Sequence, residues 1–314
     1  MAVCLLDANY LLRRSIYAVQ SESFTKETIT LAFLKSLKSC LDTTFATACV
    51  AVWDGGYSRR RLKMFPGYKA ERREKVETLE SRLHMQAFYE QTEVLKTLLP
   101  KFGVYWIKLK GREADDIIAM IVPWLKNKVR RIAILTGDRD IFQMVDRNVI
   151  VYNPDSKKIL ALENFEEVTG IQKKFYILHR SLVGEKSRNG IDGVPLVGDK
   201  TAAKLLSIPE VSGFIDLIYH CMRDKSTKAE MNIVENFEVV CRNMELLDLT
   251  REVFTDAEES RVFSTLSGSL PTLSMTEQIR FLRDQGLREL ISSLTYWVDP
   301  FNRLSKNLMS GGMA

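Results

Sequence analysis

Ala2-Val3-Cys4-Leu5-Leu6-Asp7 is a short apolar run that stops on an acid. The pattern recurs at Ala48 to Trp53 before Asp54, at Val104 to Leu109 shortly before Glu113, and at Arg131 to Leu135 shortly before Asp138. Apolar runs of this length with little alternation read as strands buried on both faces. Thr28 to Leu41, His84 to Leu99 and Ala114 to Leu125, with Pro123 near its end, have the apolar spacing of helices between them. The expected fold class is therefore α/β, a central, mainly parallel sheet flanked by helices. Such sheets bind ligands beyond the carboxyl ends of their strands, so acids that follow four strands converge at one edge.

The chain of 314 residues is 46% hydrophobic and 27% charged, which excludes a disordered or fibrous protein and leaves room for about two domains. Its net charge of +5 is too small to mark a polyanion-binding protein. The distribution says more: Arg59 to Lys75 holds eight basic and two acidic residues, an excess of +6. Five cysteines without a CxxC pair suggest neither a disulfide framework nor a zinc ribbon, and three scattered histidines form no HExxH arrangement. No apolar run approaches the roughly 18 residues that span a membrane, and the N-terminal run is interrupted at Asp7 with no basic region before it. A soluble, cytoplasmic chain without membrane contact is expected. Beyond Ser207 the pattern is helical, with Asn232 to Leu249 as one example.

Gly111-Arg112-Glu113-Ala114-Asp115-Asp116 places three carboxylates within four positions where a helix begins. A helix N-terminus rewards an acid by only about 0.3–1 kcal/mol, whereas carboxylates sharing a site repel and push a pKa upward. A divalent cation resolves that conflict, and an all-acid, His-poor cluster favours Mg²⁺ over zinc. Thr136-Gly137-Asp138-Arg139-Asp140 repeats the arrangement after the fourth run, and Asp7 and Asp54 add one acid each. Taken singly, each aspartate could be a turn former or helix cap.

The order and spacing of these acids resemble the 5′ nuclease (flap endonuclease) family of bacteriophages and bacterial DNA polymerase I. Leu5 to Asn9, Val50 to Asp54, Gly111 to Asp116 and Thr136 to Asp140 are similar to its first four acidic motifs, and Gly184 to Ala202 to its fifth motif and helix-hairpin-helix clamp. Arg242 to Leu249 resembles a later helical segment. The resemblance implies a PIN-like 5′ nuclease core over residues 1–160 with a helical arch at about 57–84. A helical DNA-binding region would span 161–314, with the hairpin at about 184–206. It implies metal-dependent hydrolysis of phosphodiesters at 5′ ends, flaps or nicks of DNA, with RNA–DNA hybrids as a further candidate, in replication or primer removal. Asp7, Asp54, Glu113, Asp115 and Asp116 would serve a first metal, and Asp138 and Asp140 a second, with one or two Mg²⁺ ions replaceable by Mn²⁺ and K⁺ a candidate at the hairpin. The expected protein is a monomer, in the host cytoplasm if phage-encoded.

The fifth motif departs from the family's Gly-Asp-x-x-Asp-Asn, reading Gly184-Glu185-Lys186-Ser187-Arg188-Asn189-Gly190. Glu185 keeps a carboxylate, Arg188 replaces the other acid with a cation, and Asp192 is a displaced candidate ligand. Lys69 and Arg72 match the family's catalytic cations at the arch base. Arg14, Arg59, Arg60 and Tyr68 are candidate nucleic-acid contacts, with Tyr68 or Phe65 stacking a base. At the hairpin, Gly193, Val194, Gly198 and Lys200 would meet duplex phosphate through backbone N–H groups, although Leu196 stands where the family has glycine. Two alternatives stay open: a branched-DNA-binding protein with impaired catalysis, and a PIN-like ribonuclease.

Overall fold

A computed structural model describes residues 1–19, 25–70, 78–185 and 189–308. Along the chain run β1 (Ala2–Asp7), α1 (Ala8–Ala18), α2 (Lys26–Thr44), β2 (Ala48–Trp53), α3 (Arg59–Met64), α4 (Leu79–Leu98), β3 (Val104–Lys108), α5 (Ala114–Lys126), β4 (Arg131–Leu135), β5 (Val149–Asn153) and β6 (Lys158–Leu160). There follow α6 (Phe165–Thr169), α7 (Tyr176–Val183), β7 (Gly184–Glu185), β8 (Ile191–Asp192), α8 (Asp199–Leu206), α9 (Phe214–Cys221), α10 (Lys228–Glu235), α11 (Phe237–Leu247), α12 (Asp256–Ser267) and α13 (Met275–Asp284). Two compact units result: Met1–Gly56 with Val76–Ile159 and Val253–Ala314, and Tyr57–Lys75 with Leu160–Glu252.

In the first unit the four apolar runs form the strands expected of them, joined in the order β3-β2-β1-β4-β5-β6. The neighbours from β3 to β5 pair in parallel, with Leu5 opposite Val50 on one side and Ile134 on the other. Val3 to Leu6 and all of β2 are buried, which is why these runs lack polar alternation. From β1 the chain winds outward through β2 to β3, then returns past β1 to β4. The strand order therefore reverses between β1 and β4, and loops leaving in opposite directions there open a crevice at the carboxyl edge.

Residues 253–308 return to this first unit, so the expected single region 161–314 is divided. Leu282, Leu287, Leu290, Trp297 and Phe301 enter the same core as Phe33, Leu37 and Phe102, and the Phe102 and Trp297 rings lie 5.0 Å apart. Burial of those apolar faces outweighs nearness in sequence.

The second unit has its own core, in which Phe175, Leu178 and Leu182 of the α7 region meet Val194, Val197, Ala202 and Leu205. The helical stretch expected over Asn232 to Leu249 is two helices that meet at Asn236 (φ −104°, ψ 27°), whose side chain donates to Asn232 O at 2.8 Å. Residues 57–70 also belong to this unit rather than to the core expected over 1–160. Arg61 is buried and donates through Nε to Leu246 O at 2.8 Å, and Lys69 N donates to Asn189 O at 2.9 Å. Among the described residues no helix is long and apolar enough to cross a membrane.

Candidate metal centre

Asp7 ends β1 and caps α1, its Oδ1 accepting from Tyr10 N at 2.9 Å. Thr136, the first residue after β4, donates through Oγ1 to Asp7 Oδ2 at 3.1 Å and accepts from Asp138 N at 3.0 Å. This fully buried hydroxyl ties the acids of β1 and β4 across the crevice. A Cβ on Gly137 would stand 2.5 Å from the Tyr10 hydroxyl, so any larger residue there displaces the tyrosine ring. Asp138 then accepts from Asp140 N at 3.0 Å, a turn that presents both carboxylates from one short 3₁₀ segment.

The β2 and β3 loops are fastened to each other. Gly55 N donates to Arg112 O and Gly111 N to Gly55 O, each at 2.8 Å, and a Cβ on Gly55 would overlap Leu109 O. That clamp sets Asp54 against the start of α5, where its Oδ1 accepts from Ala114 N at 2.7 Å. Asn9 holds the other oxygen, donating to Asp54 Oδ2 at 2.6 Å and accepting from Asp54 N at 3.2 Å. Glu113 and Asp116 form a reciprocal capping box on α5. The bland role of helix cap therefore applies to Asp7, Asp54, Glu113 and Asp116, but it does not explain why they gather.

Carboxylate oxygens of Asp115, Asp138 and Asp140 all lie within 4.8 Å of one another, a separation that one ion with oxygen ligands at about 2.0–2.6 Å can span. The trio crosses the expected division into a first and a second ligand set. Asp7 feels the same crowding: burial first, then the charges of Asp54 and Asp138, push its carboxyl up to about 7. An all-oxygen donor set fits a hard divalent cation, and the acidic cluster supports divalent metal binding. Thr136 and Asn9 were visible in the motifs only as residue types. Their roles as ties between acids depend on strand order, which no local signal carries.

Glu185 is buried in the second unit, where it pairs with Arg180 and accepts from Asn189. Asp192 is exposed at the end of β8. Tyr68 is 3% exposed and packed with Ile191, Leu246 and Leu247, so its ring has no face to offer a base. Arg60 is committed to Glu252 Oε2 at 3.0 Å and Glu245 O at 2.8 Å, a structural use in place of phosphate contact. Arg59 is exposed. Lys69, at a left-handed φ of 53°, holds its Nζ 4.9 Å from the Tyr68 ring centre, and Arg72 lies outside the described residues. Arg14 bonds Asp155 at 2.7 Å on the surface of the first unit.

At the hairpin, Gly193 is required by its approach to Val183 O, and Val194 is buried with its N–H donated to Leu182 O at 2.7 Å. Val194 is thus part of the turn's own bonding and has no N–H to give a phosphate. Gly198 and Lys200 are exposed at the start of α8. Leu196 takes a φ of 65°, the left-handed region that glycine occupies without strain.

Residues 2–173 match the family model described as 5′-3′ exonuclease, N-terminal resolvase-like domain. Mycobacterium bovis DNA polymerase I is 32% identical over 260 residues, covering 79% of this chain and 27% of that one, so the chain spans about a quarter of such relatives. A 5′-3′ exonuclease of Aquifex aeolicus is 29% identical over 205 residues, 64% of this chain and 68% of that one. Among solved structures, a flap endonuclease variant of bacteriophage T5, in a pseudo-enzyme-product complex with DNA and metal ions, superposes with a TM-score of 0.69. It is 18% identical, with 95% of this chain and 100% of that one covered, a likeness of fold.

Proposed function

This chain belongs to the 5′-3′ exonuclease family, and from that premise we propose that it hydrolyses DNA phosphodiesters at 5′ ends or 5′ flaps during replication or primer removal. The observation that carries the reading is the approach of Asp115, Asp138 and Asp140, beside an Asp7 whose carboxyl is raised by burial and then by the charges of Asp54 and Asp138. Asp7, Asp115, Asp138 and Asp140 would hold the cation, Mg²⁺ with Mn²⁺ as its substitute, and Asp192 would be a further ligand for a second ion. Once bound, the cation supplies an acidified water as nucleophile and stabilises charge on the leaving oxygen. Thr136, Asn9 and the Gly55–Arg112 clamp hold the acids in place.

The acids alone would repel DNA. Lys69 and Arg72 draw the scissile phosphate in, Arg14 and Arg59 engage single-stranded backbone, and Gly198 and Lys200 meet duplex phosphate, with K⁺ as a candidate ion at that turn. The T5 relative's complex with DNA and metal ions supports DNA as partner. RNA–DNA hybrids are a further substrate, and the working form is a cytoplasmic monomer. The pairing of Glu185 with Arg180 favours one second reading, a branched-DNA binder with weakened catalysis.

Digestion of labelled 5′-flap, nicked and blunt duplexes across a Mg²⁺ or Mn²⁺ titration separates the two. The nuclease reading expects metal-dependent release from the flap and a loss of about a thousandfold in Asp115→Asn with binding retained. Flap-selective binding without hydrolysis at any metal concentration would establish the second reading, and full activity in Asp115→Asn would contradict the first.

A further inference from the structure

Arg112 stands one residue before Glu113, so a cation is built into the edge of the carboxylate cluster. Its side chain is bound by Glu258. Nε donates to Glu258 Oε1 at 2.9 Å and a terminal nitrogen to Glu258 Oε2 at 2.8 Å, a bidentate pair that is largely shielded from water. The guanidinium also lies 4.6 Å from the Phe254 ring centre. Glu258 is itself held, since its Oε2 accepts from Thr255 N at 2.9 Å and its own N–H bonds the Thr255 hydroxyl at 3.3 Å, a capping box on α12. Further along, Phe263 of α12 stacks on Trp124 of α5 at 4.9 Å, a second contact between this helix and the segment that begins at Arg112. The Arg112 cation holds the Glu258 carboxyl down to about 2, which keeps the pair charged in any ordinary buffer.

We propose that Glu258, in the segment that returns to the first unit, is a positioning residue that keeps the Arg112 cation out of the metal pocket. The inference rests on the metal reading above. Arg112 must remain close to the cluster because its backbone is used: its carbonyl accepts from Gly55 N at 2.8 Å and its N–H bonds Leu109 O at 3.2 Å. A released guanidinium about 6 Å from a divalent ion, in water-like surroundings, weakens that ion's binding about tenfold. Holding it on Glu258 and Phe254 removes the competition without moving the loop.

The test is direct Mn²⁺ binding to the full chain without nucleic acid, read from the EPR signal of free Mn²⁺, beside thermal unfolding in chelator. Glu258→Gln frees the cation and is expected to raise the Mn²⁺ dissociation constant about tenfold. Arg112→Met added to Glu258→Gln should restore wild-type affinity, because the competing charge is then gone. Arg112→Met alone should bind as wild type, and Glu259→Gln, an exposed neutralisation one residue away, should change nothing. A double variant as weak as Glu258→Gln, or an unaltered Glu258→Gln, would overturn the inference. If Glu258→Gln does not fold in chelator, Arg112→Met decides: loss of Mn²⁺ affinity there means that the pair braces the helix mechanically, and the proposal fails. No Mn²⁺ binding by the wild-type chain would defeat the metal reading and this inference together.

Discussion

At the carboxyl end of the sheet, acids from four loops are crowded together although they repel, and at residues 57–70 a run of cations is dispersed although nothing in its sequence separates them. Arg60 and Arg61 are drawn into bonds with Glu252, Glu245 O and Leu246 O, and only some of the run, Arg59 among them, faces solvent. The difference lies in what fixes each group. Parallel strand order brings the acids together whatever their charge, and Asp7 is raised by its burial and then by the charges of Asp54 and Asp138. A short helix such as α3 imposes no such geometry, so its cations follow the nearest carbonyls and carboxylates.

The comparison breaks most readily at Arg61. Replacing it with Ala removes a buried side chain and leaves Leu246 O without its donor, a cost of about 3 kcal/mol in urea unfolding, while Mn²⁺ affinity stays at the wild-type value. A cheap substitution, or lost metal affinity, would mean that Arg61 serves the site after all.

The acid end behaves in the opposite sense. In chelator, Asp7 has a carboxyl raised from 3.8 to about 7, so the native chain binds its proton more tightly than the unfolded one. That stabilising difference is complete below about pH 4 and disappears as pH rises through 7. Asp7→Asn should flatten this slope and raise chelated stability at pH 8 by about 2 kcal/mol, while abolishing metal-dependent cleavage. Equal stabilities of wild type and variant at pH 8 would show that the acids are not strained by proximity.

Much of this acid end was legible in the sequence, because buried parallel strands lack alternation and each was followed by its acid. Helices α2, α4 and α5 lay within a few residues of expectation. What was illegible depended on contacts made across the chain. Tyr68 reads as a stacking ring until Ile191 and Leu246 close over it, and nothing in the fifth motif announces the pairing of Glu185 with Arg180. The return of residues 253–308 to the first core follows from apolar faces whose partners lie far back in the chain, as for Trp297 against Phe102. Strands β5 and β6 and helix α1 carry no motif that announces them.

Two smaller effects sharpen the contrast. Lys69→Ala with Arg72→Ala should weaken single-strand binding about tenfold and reduce the slope of log K against log salt by about 1.4, measured by fluorescence anisotropy. An unchanged slope would remove this segment from the DNA path. At the hairpin, Leu196→Gly should stabilise the chain by about 0.5–1 kcal/mol, because the left-handed backbone costs a leucine more than glycine loses in entropy. Destabilisation there would mean that the exposed Leu196 side chain makes a contact that outweighs its backbone.

The central claim is that carboxylates from separate strand ends share one divalent cation, and anomalous diffraction from crystals soaked in Mn²⁺ tests it most directly. The account predicts a strong anomalous peak between Asp115, Asp138 and Asp140, with oxygen distances near 2.2 Å, about those of a hard cation. Density without a peak there, with the three side chains parted, would contradict it.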